Sequence, residues 1–429
     1  MQKNNQTKFK ETEIGFIPEE WDIFNIADAV EIIDGDRGNN YPNGSDFIKE
    51  GYSLFLNAKN VCGSNFNFSE CQFINKSKDE ELRKGKMQRG DFVLTTRGTV
   101  GNIAYYDNSV PFENMRINSG MVILRNGKDF NSEFLFQLLK SEIIGNQISE
   151  LTTGSAQPQL PIRDLKYLKL IKPPLGEQEK IAQILVSFDE KIELNRKINA
   201  NLKNITSSLF KRWFVDFEFP DKNGKSYKFN DGKMITSELG LIPDGWRVAT
   251  LKEISRLMMG LSPKGESYNE VCNGTPLLNG ASDFKGKKII PKKYTSQPTR
   301  ICKKGDLVLC IRATIGNLTF ADNEYCLGRG VASLTPSQEI FREYIYFTIN
   351  RALDGLKSKA TGSVISGLSK PDIEELQILL PNESLISSFH NVVSGLLDYE
   401  IKNDEEIISL ELIRDSFLPR LMSGKIRAK

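Results

Sequence analysis

Apolar residues recur along two stretches of the chain at alternating spacings of four and three. Between Glu177 and Trp213 they fall at Ile181, Leu185, Phe188 and Ile192, then at Ile198, Leu202, Ile205 and Leu209, with a phase shift near Asn195 and no Pro or Gly. Between Ser384 and Leu418 they fall at Ile386, Phe389, Val393 and Leu396, then at Ile401, Ile408, Leu412 and Ile413, with Gly395 weakening the pattern. Both read as heptad seams of long helices. At 1.5 Å per residue the first would be roughly 55 Å long. A helix of that length with so narrow an apolar stripe needs a partner stripe. The other long helix, running antiparallel, is one candidate; the alternative is that each helix packs on its own domain.

Elsewhere the pattern changes period. Phe92-Val93-Leu94 and Ile103-Ala104-Tyr105, separated by Gly98 and Gly101, read as strand, glycine turn, strand, and Leu307 to Phe320 reads the same way. Helical spacing returns at Phe134, Leu135, Leu138, Leu139 and Ile143, and again at Tyr344, Ile345, Phe347, Ile349 and Leu353. The fold class expected is therefore α+β, with two strand-rich globular parts and two long helices.

The two globular parts are copies. GFIPEEW at 15–21 recurs as GLIPDGW at 240–246, GDFVLTTRGTVGNIAYYDN at 90–108 as GDLVLCIRATIGNLTFADN at 305–323, and TGSAQPQLPIRDLKYLKLIKPP at 153–174 as TGSVISGLSKPDIEELQILLPN at 361–382. Each copy closes with one of the long helices. The internal repeat predicts a pseudo-two-fold object divided as 1–175 globular domain, 176–215 helix, 216–235 linker, 236–382 globular domain, 383–422 helix and 423–429 tail.

Composition narrows the function by exclusion. With 429 residues, 39% hydrophobic and 26% charged, the chain can bury two or more cores. No apolar run approaches a membrane span and the opening MQKNNQTKFKETEIG lacks the apolar core of a signal peptide, so a cytoplasmic protein is expected. The six cysteines form no CxxC pair, which removes a zinc ribbon or thioredoxin-type motif, and His390, the one histidine, lies in an apolar-periodic stretch. A histidine triad or multi-histidine metal site is close to excluded.

Catalytic motifs are missing as well. Gly224-Lys225-Ser226 lacks the first glycine of a P-loop, having Phe219 in its place. Pro371-Asp372 with Glu400-Ile401-Lys402 imitates a metal-dependent nuclease set, but Glu400 and Lys402 fall in the heptad stretch. Lys172-Pro173-Pro174-Leu175 lacks both ends of a methyltransferase [ND]PP[YF] motif.

What remains suits reading DNA. The net charge of +2 is small, but basic residues crowd locally: Lys76, Lys78, Arg83, Lys84, Lys86, Arg89 and Arg97 in one copy, diluted by Asp79, Glu80 and Glu81, and Lys285, Lys287, Lys288, Lys292, Lys293, Arg300, Lys303, Lys304 and Arg312 in the other; such runs mark either a phosphate-contacting surface or a solvated face. Thr153, Gly154 and Ser155, followed by Gln157 and Gln159, put small donors and amides on a loop, suited to phosphates and base edges. Thr361, Gly362 and Ser363 repeat the loop in the second copy, with Ile365 in place of Gln157, a divergence expected equally of two readers of different sequence and of a drifting surface loop. Arg97 and Arg312 occupy matching places and are either nucleic-acid contacts or partners of Asp91 and Asp306.

The ordered set, G-x-I-P-x-x-W twice, GD-x-VL-x-x-R-x-T-x-GN twice, the TGS loops, PPLGEQEKIAQIL, LFKRWFVDFEFP and LPRLMSGKIR, resembles the specificity subunits of type I restriction-modification systems across essentially the whole chain. The resemblance implies that each globular part is a target recognition domain reading one half of a bipartite double-stranded DNA target, with the two antiparallel coiled-coil helices as spacer. It implies no catalytic residue and no cofactor on this chain. S-adenosylmethionine, ATP and Mg2+ would be used by partners: two modification (methyltransferase) subunits and, where present, two restriction subunits. The long helices with Phe210, Trp213, Phe214 and Phe217 would be the docking surface; the alternative for that aromatic cluster is a buried helix end. Two rival classes stay open, a stand-alone DNA methyltransferase or nuclease and a scaffold that binds no DNA.

Overall fold

Strand Asp91–Thr95 is buried at all five positions, and that burial organises the first half of the chain. In the computed structural model, which describes residues 7–154, 156–221, 223–360 and 367–428, the chain divides into two units. The first comprises Met1–Asn195 with Glu406–Lys429, the second Arg196–Glu405. Each unit therefore takes the first half of the long helix that follows its globular part and the last half of the long helix from the other copy. Among the described residues no helix is long and apolar enough to cross a membrane.

In the first unit an antiparallel sheet runs in the order Ile103–Tyr105, Asp91–Thr95, Met121–Asn126, Val30–Asp34. The glycine-turn hairpin is real, with Ala104 opposite Val93. Side chains alternate across this sheet, as a pleated strand requires. Val93, Ala104 and Ile123 face a second sheet of Met115–Ile117, Ser53–Leu56 and Phe73–Ile74. Phe92, Leu94, Ile103, Val122 and Leu124 face the helices. The period-3.6 stretch is split into two helices, Ser132–Leu139 and Glu142–Leu151. Asn131 caps the first by accepting from the Phe134 amide, and its own amide donates to Gln178 of the long helix at 2.9 Å.

The second unit repeats the plan. Its four-stranded sheet runs Ser255–Met259, Val331–Pro336, Leu307–Cys310, Leu318–Phe320, and an outer five-stranded sheet runs Tyr268–Asn269, Lys293–Thr295, Thr275–Leu278, Tyr325–Leu327, Ile301–Cys302. Here one helix, Arg342–Lys359, replaces the split pair. His390 lies on the second long helix with Nδ1 2.6 Å from the buried Glu343 carboxylate. The cysteines are free, and burial pushes the Cys302 and Cys310 thiols up to about 12.

The long helices are Leu175–Phe214 and Glu383–Met422, and in each unit the two segments run antiparallel. In the first unit Asp189 takes Arg414 at 2.8 Å and Phe188 packs on Phe417; in the second Asn403 donates to Asn199 at 2.9 Å. The seam differs from the sequence reading on both helices. There is no phase shift at Asn195: the 4-3 spacing continues through Asn195, Asn199, Leu202 and Thr206, and Ile205, assigned to the seam from its hydrophobicity, is 54% exposed. On the second helix Glu400, Asn403 and Ile407 are buried, while Leu412 and Ile413 are exposed. Polar side chains hold seam positions because they pair: Asn195 donates to Glu406 at 2.7 Å, Asn199 to Asp404 at 2.7 Å, and Glu400 accepts from Lys287 at 2.7 Å.

The repeated heptapeptide closes each unit on a helix end. In the second unit Trp246 stacks on Phe219 at 5.4 Å and meets Phe217 edge-on at 5.4 Å, while Phe214 packs on Phe389 at 4.9 Å. Segment 216–235, read as a linker, is thus partly core. In the first unit Trp21 is fully buried and donates through Nε1 to Glu177 at 3.0 Å. The tail 423–428 folds back on it: Leu421 and Met422 are fully buried, and Gly424 at φ +68° leaves a Cβ only 2.3 Å from Pro18, so glycine is required. Arg427 then bonds both Glu177 oxygens at 2.7 and 2.8 Å and Glu20 at 2.8 Å.

Arg427→Ala leaves Glu177 buried with half its partners, and a loss of about 3 kcal/mol in denaturant unfolding is expected. Burial alone would raise the Glu177 pKa, but the hydrogen bonds from Arg427 and Trp21 outweigh it and hold the carboxyl below its ordinary 4.5. A lowered folded-state pKa means that this contribution is complete above about pH 4.5 and fades as pH falls through the lowered value. The variant's stability deficit should therefore shrink under acid, read by repeating the titration at descending pH.

Candidate nucleic-acid interface

One end of each four-stranded sheet gathers the exposed polar loops. In the first unit Val122 pairs with Asp34 and Met121 with Thr95, so the loops 35–40, 96–102 and 118–120 leave the sheet together. Backbone bonds stitch them: the Thr96 amide donates to Gly120 at 2.8 Å, and the Leu160 amide to Thr96 at 2.9 Å. Thr153 and Gln159 exchange backbone bonds at 2.9 Å, and Arg97 bridges to the same Gln159. Arg97, Thr153 and Gln159 are thus neighbours. Gly154, at φ +87°, turns that loop, and Gln157 stands exposed on it. Ser155 lies outside the described residues.

The second unit builds the same end. Met259 pairs with Ala332 and Cys310 with Val331, so the loops 260–264, 311–317 and 328–330 leave the sheet together. The Ile311 amide donates to Gly330 at 2.9 Å, the Leu368 amide to Ile311 at 2.9 Å, and Arg312 bridges to Gly367. Thr361, Gly362 and Ser363 lie outside the described residues.

The two readings of the matched arginines part here. Asp91 is held by Arg125 at 2.9 Å through both oxygens and by the Gln88 amide at 2.6 Å, and Asp306 accepts from the Lys303 amide at 2.8 Å. Arg97 and Arg312 are exposed, and among the described residues neither guanidinium has a carboxylate partner. The basic runs divide likewise. In the first copy Lys78 pairs with Glu81 at 2.9 Å, Lys86 with the buried Asp79 at 2.7 Å, and Arg89 lies 4.3 Å over the Tyr106 ring. In the second copy Lys287 is structural, bound to Glu400, whereas Lys292 and Lys293 are exposed at strand Lys293–Thr295 of the outer sheet, not on the loop end. The aromatic cluster is internal: Phe210, Trp213 and Phe214 are buried and Phe217 is half-buried in the second unit's own core, where they present little surface to another chain.

Two loop residues were not anticipated. Arg37 donates through Nη2 to Asp34 at 3.2 Å and to the Ser119 carbonyl at 3.3 Å. Arg329 donates through Nε to the Ser262 hydroxyl at 3.3 Å, its backbone amide sharing that acceptor at 3.3 Å. Both are exposed, and both sit between the loop that follows the first strand of the sheet and the loop that precedes Met121–Asn126 or Val331–Pro336. The sequence signal was an arginine beside glycines, GDRG at 35–38 and GRG at 328–330. Those glycines let the backbones touch: a Cβ at Gly35 would stand 2.2 Å from the Asn118 carbonyl, and one at Gly330 2.0 Å from the Asn279 carbonyl. Among the described residues no group of three or more His, Cys, Asp or Glu could hold a metal ion.

Comparison with known proteins accounts for the repeated plan. Residues 18–204 and 243–387 each match the model of the type I restriction modification DNA specificity domain. The chain is 29% identical over 448 residues to the type I restriction enzyme MjaIX specificity subunit of Methanocaldococcus jannaschii, covering 99% of this chain and 98% of that one. It is 24% identical over 478 residues to the HindI specificity subunit of Haemophilus influenzae, covering 94% and 100%. Among solved structures, the S subunit of a type I restriction-modification system from M. genitalium has a TM-score of 0.63 at 18% identity over 98% of both chains, which shows a shared fold.

Gly35→Ala and Gly260→Ala, the latter placing a Cβ 2.1 Å from the Gly328 carbonyl, should each force the paired loops apart, costing about 1–3 kcal/mol and speeding amide exchange at 35–40 with 118–120, or 260–264 with 328–330. Gly265→Ala, with open space at its Cβ, should leave both protected.

Proposed function

The chain belongs to the type I restriction-modification DNA specificity family, and from that premise we propose how its parts divide the work. It is a DNA-recognition subunit and not a catalyst, acting with DNA and modification subunits as the family does. The loop end of each four-stranded sheet reads one half of a bipartite target. Arg97 and Arg312 contact phosphates, and Thr153, Gly154, Gln157 and Gln159 supply the small donors and amides beside them; Ser155, Thr361, Gly362 and Ser363 complete the set. Lys292 and Lys293 add positive potential from the outer sheet. The observation that carries this reading is the recurrence, in both copies, of one exposed, glycine-built loop end with an arginine that has no carboxylate partner among the described residues.

The long helices act as the spacer, and their exposed apolar positions, Leu194 and Leu412 in the first unit and Ile205 and Tyr399 in the second, dock two modification subunits. Those subunits bring S-adenosylmethionine; restriction subunits, where present, bring ATP and Mg2+ chemistry. Two modest half-site interfaces joined by a stiff connection act at high effective concentration, so both halves are required together.

Methylome sequencing of cells carrying this chain with its modification subunit, against the modification subunit alone, tests the reading. Methyladenine at a bipartite motif only when the chain is present is the expected result. Arg97→Ala should weaken binding across sequences alike and lower the slope of log affinity against log salt by about one. Deleting one heptad from each long helix should change the gap and leave both half sites as they were; an unchanged gap would overturn the spacer role.

A further inference from the structure

The recognition loops carry arginines of two kinds. Arg97 and Arg312 are exposed with no carboxylate partner among the described residues, whereas Arg37 and Arg329 are each held at one edge. Arg37 is held by the carboxylate that ends its preceding strand and by a carbonyl of the facing loop, Arg329 by a hydroxyl of the facing loop. The positions are exchanged between the copies. In the first unit the arginine sits on the loop after the first strand and its acceptor, Ser119, on the loop before Met121–Asn126; in the second the arginine sits on the loop before Val331–Pro336 and its acceptor, Ser262, on the loop after the first strand.

An arginine serves the two tasks in nucleic-acid binding through different demands. A phosphate contact needs only charge and reach, which a free side chain supplies. A base contact needs the guanidinium fork fixed in plane, so that two N–H groups meet O6 and N7 of guanine together, and a supporting acceptor on its other edge does that fixing. Asp34 and the Ser119 carbonyl fix the plane of Arg37 by accepting from its Nη2, with 47% of the side chain accessible. A carboxylate beside the arginine also lowers the local positive charge, which works against a simple phosphate clamp and costs little where discrimination is the task.

Resting on the proposal that these loop ends read DNA, we propose that Arg37 and Arg329 are specificity-determining residues, each reading a guanine in the half site of its own unit. Arg37 and Arg329 fix identity at one base pair apiece, and Arg97 and Arg312 supply sequence-independent affinity. The methylated motif of the wild-type chain must then hold at least one G·C pair in each half site.

The test is the methylome motif of the full chain with its modification subunit, for wild type, Arg37→Ala, Arg37→Lys, Arg329→Ala and Arg97→Ala. In Arg37→Ala one G·C position in one half site is expected to become degenerate, with discrimination there falling about 10- to 100-fold while the other half site and the gap stay fixed. Arg329→Ala should do the same to the other half site. Arg37→Lys keeps the charge without the fork and should relax the same position, which separates base reading from charge loss. Unchanged thermal melting identifies variants that fold. Variants that fold and methylate the wild-type motif at a lower rate, as expected of Arg97→Ala, would overturn the assignment and make both residues phosphate contacts. A half site without any G·C pair would overturn it too. If the wild-type chain directs no sequence-specific methylation, the DNA-reading proposal itself falls, which is a distinct outcome.

Discussion

Each unit of this protein is closed by a helix end that its own globular part does not supply. Trp21 and Trp246 are the floors on which those ends land, and neither core is complete without the landing. In the second unit the closing element is the aromatic run Phe210, Trp213, Phe214, Phe217 and Phe219, dominated by ring packing. In the first it is Leu421 and Met422 with a buried ion pair from Arg427 to Glu177. One architectural need is thus met by two chemistries. The aromatic solution is tolerant of small shifts, and the ionic one demands the bidentate geometry that Gly424 makes reachable. Pro18 and Trp21 of the first heptapeptide are the surface against which Gly424 must fit, and Trp246 of the second stacks on Phe219.

The seam between the long helices follows from the same economy. Its ends are apolar and merge into the unit cores, at Ile181 and Leu185 in the first unit and at Phe389 and Val393 in the second. Toward the middle Asn195, Asn199, Thr206, Glu400 and Asn403 take over. A buried amide is tolerated only opposite its partner, so Asn199 against Asn403 and Asp404 accepts one register and penalises every other. Stability is spent there on specificity of pairing, and the apolar ends supply it.

These features mark the limit of what the sequence discloses. The hairpins, the α+β class, the duplication and the long helices were all legible, because each is written in local period or in direct repetition. The seam was misread at Asn195 because hydrophobicity stood in for burial; Ile205 was placed in the seam and is exposed, while Thr206 beside it is buried. The aromatic cluster was left open because an exposed docking patch and a closing helix end have the same composition. Arg37 and Arg329 escaped because their meaning is relational. Neither lies in the aligned motifs, and their equivalence appears only when antiparallel pairing sets two loops from distant parts of the chain side by side.

That relational character fits what a reading surface must be. The strands beneath the loops are buried on both faces, so the sheet end is a fixed base, and glycines at the closest approaches exclude side chains that would push the loops apart. On such a base a loop residue can change without disturbing the core, since nothing beneath it depends on its identity. The arginine carried by the loop after the first strand in one copy, Arg37, and by the loop before Val331–Pro336 in the other, Arg329, is a change of this kind. A scaffold that holds positions constant and leaves their occupants free can acquire new base preferences one loop at a time, and its two copies need share only the plan.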